Sequence, residues 1–161
     1  MNVLEKIKSS ITYCDGGAGT LLQSWGLSAG EHPENWNIEN PEKIIMDDDY
    51  VDKAFMTDIE MIKATKDSIS REAVAKSAEA INNAKKACEG YDAFVALDIG
   101  PTGKLLKPLG ELDFEDAVEV FAKTVRLGVK YGVDLILIET MADTYETKAA
   151  LLAAKENSTL P

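Results

Sequence analysis

The chain is poor in residues that build disulfide or metal frameworks. It has two cysteines, Cys14 and Cys88, and one histidine, His32. No CxxC spacing occurs, which excludes a disulfide scaffold and a thiol redox motif. No run approaches the roughly 18 apolar residues of a membrane-spanning helix. The N-terminal MNVLEKIKSS lacks the long apolar core and cleavage site of a secretory leader. Basic residues are outnumbered, 17 against 28 acidic, for a formal net charge of −11. Phosphate recognition needs a basic face, so neither nucleic acid nor an anionic membrane is an expected partner. The expected setting is a reducing cytoplasm. What remains is a chain of 161 residues, 45% of them hydrophobic, enough for a single domain over 1–161.

Two segments read as buried strands. Val133–Glu139, with Val133 and Leu135–Ile138 apolar, ends on Glu139. Ala93–Leu97 is followed by Asp98. Apolar runs of this kind suit a parallel sheet covered by helices, burying both strand faces. Acids at the C-terminal ends of such strands lie where α/β proteins meet their ligands.

Helices are expected between them. In Ser70–Cys88 the residues Val74, Ala78, Ile81, Ala84 and Cys88 form one stripe, which gives Cys88 a packing role. Asp113 should cap a second helix whose apolar face carries Phe114, Ala117, Val118, Phe121, Val125 and Val129, with Gly132 as its stop. Asp143 and Glu146 should form a capping pair for a last helix, Thr144–Glu156.

The N-terminal part is less regular. A short helix over Met1–Ser9 leads to a brief strand at Ile11–Cys14, then Asp15, Gly16, Gly17, Ala18, Gly19 and Thr20. Glycines after a strand let a ligand approach backbone amides closely. A helical piece follows over Thr20–Trp25, and Ser28–Pro41 reads as an irregular connector. The run Asp47–Asp49 lacks the alternation and central glycine of a calcium loop, so a solvated patch is expected. Phe55–Ala64 fits either a strand or a helix. GPTGK at Gly100–Lys104 is not a phosphate loop, because Asp98 and Leu105 stand where Gly and Ser or Thr belong.

The fold class is therefore α/β with parallel strands. About four β/α units fit this length, whereas a full eight-unit barrel needs roughly 250 residues. The chain is either a small open sheet or the front half of such a barrel.

DGGAGTLLQSWGL (Asp15–Leu27), PENWNIENPEKI (Pro33–Ile44), DIGPTGKLLKPLGELDFEDA (Asp98–Ala117) and LILIET followed by ADTYETKAALLAAKE (Ala142–Glu156) together resemble the homocysteine S-methyltransferase family. The likeness is strongest to the homocysteine-binding barrel of cobalamin-dependent methionine synthase. It covers 1–44 and 70–161; residues 45–70 diverge from the family pattern, which has a TNTFGA-like loop there. The resemblance implies a partial (β/α)8 TIM-type barrel that binds homocysteine for methyl transfer to its sulfur, giving methionine. Asp15 and Glu139 match positions that hold the ammonium, and the backbone of Gly16–Thr20 would take the carboxylate. Asp98 is a further candidate at the rim. Read from the residues alone, Asp15 could instead close an Asx turn and Glu139 could cap a neighbouring helix. The family uses zinc bound by late cysteines, none of which can be placed here, and cobalamin only through domains outside this sequence. A four-unit sheet leaves open edges, so a homo-oligomer or a partner chain supplying the rest is expected. The alternative reading is a non-catalytic amino-acid-binding or assembly module derived from such a barrel.

Overall fold

The computed structural model of the chain describes residues 3–12, 18–31, 35–45, 56–57 and 71–161. Seven helices and three strands occur among them: α1 (Val3–Ser9), α2 (Ala18–Ser24), α3 (Trp36–Glu39), α4 (Pro41–Ile45), β1 (Met56–Thr57), α5 (Arg71–Ala87), β2 (Ala96–Ile99), α6 (Phe114–Tyr131), β3 (Leu135–Ile138) and α7 (Thr144–Asn157). The strands form a parallel sheet in the order β1-β2-β3. Parallel neighbours need crossovers, which α5 and α6 provide.

The sheet is registered by pairing Ala96 with Leu135 and Asp98 with Leu137. Asp134 fixes the entry to both strands: its carboxylate accepts the Val95 N–H at 2.8 Å, and its own N–H donates to the Val95 carbonyl at 2.7 Å. Alternation then sends Leu97 and Ile99 to one face and Ala96 and Asp98 to the other. Leu97 and Ile99 are fully buried in a core with Ile81, Ala84, Ala117, Phe121, Val125, Ala149, Ala150 and Ala153. The helices therefore cover the Leu97 face. Gly128 permits the approach of α6: a Cβ there would stand 2.7 Å from Leu97 Cδ2.

Some expectations shift. The second strand begins at Ala96, so Asp98 is inside it and not beyond its end. β3 is only half-buried along its length, where burial on both faces was expected. It has a single strand neighbour among the described residues, and on its other edge Ile136 N–H donates to the Pro161 carbonyl at 2.9 Å. Asp113 sits at the N-cap of α6 without a side-chain cap bond. Its carboxylate instead accepts from Lys107 Nζ at 2.8 Å. Val129, expected on the apolar face of α6, is 40% exposed because the helix turns that flank to solvent. Gly132 closes α6 as expected, in the left-handed region at φ 82°.

The expected stripe of α5 is buried at Ile81 and Ala84 and half-buried at Val74, Ala78 and Cys88. Ser77, Ala80, Asn83 and Ala87 are also buried, since α3 and α4 pack on its other flank. Asn83 Nδ2 donates to the Asn37 carbonyl there at 3.0 Å. The connector at 28–41 contains a helical turn, α3, whose Trp36 forms a small cluster with Leu22 and Leu27. Ile11 and Thr12 are not in a strand, and the remainder of that expected strand lies outside the described residues. Phe55–Ala64, open between helix and strand, contains β1; its other residues lie outside the described set.

Candidate functional site

The C-terminal ends of β2 and β3 carry the two described acids of the expected site. Asp98 and Leu137 are paired across the sheet, so they share the face turned away from the covering helices. Glu139 follows Leu137 by two residues, one strand over from Asp98 and just past the end of β3. Its N–H donates to the Ile99 carbonyl at 3.2 Å, which ties the two strand ends together at the rim. Asp98 is 8% exposed and Glu139 is exposed. One acid thus lies within the sheet and the other reaches solvent above it.

The residue after Glu139 has an unusual backbone. Thr140 adopts φ 55°, in the left-handed region. A β-branched residue there is a genuine outlier, at a cost of order 1–3 kcal/mol. The turn it makes carries the chain away from β3 immediately after Glu139, which leaves that carboxylate exposed at the sheet end.

Two side chains that sequence reasoning did not assign to the site build its flank. Glu146, in the first turn of α7, is 4% exposed. Its Oε1 accepts the Thr102 N–H at 2.7 Å and also the Thr102 hydroxyl. The expected capping pair is therefore only half formed. Asp143 does cap α7, accepting the Tyr145 N–H at 2.7 Å, but Glu146 reaches across to the segment after β2. The Thr102 hydroxyl also accepts the Lys104 N–H at 3.2 Å, closing a tight local turn. Sequence offered no signal for Glu146, because its spacing from Asp143 fits a capping box equally well.

Asp15, Gly16 and Gly17 lie outside the described residues, so no meeting of Asp15 with Glu139 is described. Ala18 and Gly19 were expected in a glycine loop and instead begin α2, which takes in Thr20, the expected start of the following helix. Among the described residues no group of three or more His, Cys, Asp or Glu could hold a metal ion. Cys88 follows the end of α5 and packs against the core on the approach to β2, at the end of the sheet opposite the rim. No helix among the described residues is long and apolar enough to cross a membrane.

Two solved structures of the homocysteine methyltransferase MmuM from Escherichia coli share this architecture. The apo form superposes with a TM-score of 0.69 at 20% identity, covering 96% of this chain and 57% of that one. The metallated form gives 0.71 at 20% identity, with 94% and 62% covered. This chain thus spans about three fifths of the length of those proteins. Its own small parallel sheet is similar to part of their fold. The homocysteine S-methyltransferase family model matches residues 12–161. The chain belongs to the homocysteine S-methyltransferase family.

Proposed function

We propose that the chain holds homocysteine at the C-terminal rim of its sheet, as the front half of a (β/α)8 barrel, for methyl transfer to the sulfur to give methionine. The observation that supports this best is the placement of Asp98 and Glu139 at the same end of adjacent parallel strands, Asp98 within β2 and Glu139 just past β3. A small zwitterion needs anionic partners for its ammonium, and this rim has them. In the same proposal Asp15 joins Glu139 on the ammonium, and the backbone of Gly16–Thr20 receives the carboxylate.

The family's zinc would supply a Lewis acid that favours the thiolate form of a bound thiol. The described residues do not fit a zinc ion, since no metal-holding cluster occurs among them and Cys88 is at the wrong end of the sheet. No step through the metal is therefore assigned to them. Their part is to bind and orient the amino-acid end of the substrate.

Calorimetric titration of the chain with L-homocysteine, with and without zinc, tests the proposal. Binding should occur, and Asp98→Asn and Glu139→Gln should each weaken it about tenfold, the scale of losing one charged hydrogen bond. Absence of binding would sink the reading. Binding indifferent to zinc would favour an amino-acid-binding module over an enzyme. A partial barrel also gives a second copy or a partner chain a place in the proposal. Sedimentation as a compact monomer would count against that part.

A further inference from the structure

We propose that Glu146 is a positioning residue for the rim site, acting through Thr102 on the segment that follows Asp98. This rests on the homocysteine reading and adds to it a residue that touches no substrate.

Thr102 lies four residues beyond Asp98, and Glu146 lies seven beyond Glu139. The bonds between them therefore tie the two connections that leave the rim. A glutamate in the first turn of a helix ordinarily reaches back to the N-cap backbone. Here Asp143 caps the helix, and Glu146 is buried at 4% exposure with its Oε1 on both donors of Thr102. A buried carboxylate is costly unless its acceptors are used, so this contact is strongly specified once formed.

What it secures is a short stretch whose other side-chain bonds are local, between Thr102 and Lys104. Gly100 and Gly103 flank Pro101-Thr102, and Gly103 sits at φ 71°. Neither glycine has a neighbouring atom where its Cβ would be, so packing does not hold this turn. A second bond at the rim, from Glu139 N–H to the Ile99 carbonyl, is 3.2 Å, longer than the 2.7 Å of Thr102 N–H to Glu146. Without Glu146, the Gly100–Thr102 wall would be free to swing away from Asp98. The wall beside the rim would then no longer be held in one place, while the sheet register still keeps Asp98 and Leu137 paired.

The experiment compares Glu146→Leu, Glu146→Gln, Thr102→Val and Thr102→Ser with the unaltered chain. Amide hydrogen exchange at Thr102 reads the contact without any ligand, and titration with L-homocysteine reads the site. Glu146→Leu should raise Thr102 exchange and weaken binding about tenfold, whereas Glu146→Gln, which keeps an acceptor oxygen, should retain both. Thr102→Ser should behave as the unaltered chain, and Thr102→Val should fall between. Phe121→Leu, a core change far from the rim, serves as a control for stability. Chosen to match the melting temperature of Glu146→Leu, it should leave homocysteine affinity intact. Equal affinities for Glu146→Leu and Phe121→Leu would overturn the inference while leaving the functional reading in place. Failure of the unaltered chain to bind homocysteine would overturn both.

Discussion

Residues 71–161 and residues 3–45 are held together by different physics. The first region has a continuous apolar interior in which Ile81, Leu97, Ile99, Phe121 and Val125 are fully buried between sheet and helices. The second has a cluster of three buried side chains, Leu22, Leu27 and Trp36, fastened by polar contacts. Glu31 accepts from Trp36 Nε1 at 2.9 Å and from Ser28 N–H at 3.1 Å. Lys43 Nζ stands 4.7 Å from the centre of the Trp36 ring and also donates to the Trp25 carbonyl at 3.3 Å. The difference teaches that long helices on a parallel sheet need only periodic apolar residues, whereas a short irregular segment depends on particular side-chain bonds.

The largest expected effect lies in the first region. Phe121→Ala should cost about 3–5 kcal/mol, the range for emptying a well-packed aromatic site. Chemical denaturation would measure it, and a loss confined to residues 3–45 would break the contrast. Gly128→Val comes next, at about 1–3 kcal/mol, because the added atoms meet Leu97 and force α6 off the sheet. A variant as stable as the parent would show that α6 can shift freely.

The smallest effect is a pH effect in the second region. Hydrogen bonds from the Ser28 amide and then the Trp36 indole hold the Glu31 carboxyl below the ordinary carboxylate value. A carboxyl lowered on folding stabilises the folded state above its unfolded pKa and loses that contribution as pH falls through the folded one. Acidification through and below the carboxylate range should therefore loosen Trp36 while the sheet region stays intact. Indole fluorescence in a Trp25→Phe background reads this, and Glu31→Gln should remove most of the pH dependence. A Trp36 signal that is flat with acid in the parent would contradict it.

The same contrast explains what was legible in the sequence. The stripes of α5 and α6 repeat with helical period and β3 is a short unbroken apolar run, so these elements emerge from the order of residues along the chain. The helical turn at Trp36–Glu39 did not, because Pro33, Asn40 and Pro41 mark a loop and nothing local announces the Glu31–Trp36 bond. At the rim, Glu139 was legible as an acid just past a strand, whereas Asp98, expected beyond its strand, lies inside β2. Which face Asp98 takes required the register that pairs it with Leu137. Glu146 was misread as a partner of Asp143 because a capping box and a contact to Thr102 have the same local spacing; only the tertiary fold separates them. The left-handed Thr140 contradicts its own residue preference and could not be anticipated.

The central claim is that the ends of β2 and β3 form one pocket for a small amino acid, and amide chemical-shift mapping addresses it most directly. With L-homocysteine added to the isotopically labelled chain, the account predicts shifts concentrated at residues 98–102 and 139–141. Shifts concentrated at Val95 and Asp134, the opposite end of the same strands, would contradict it.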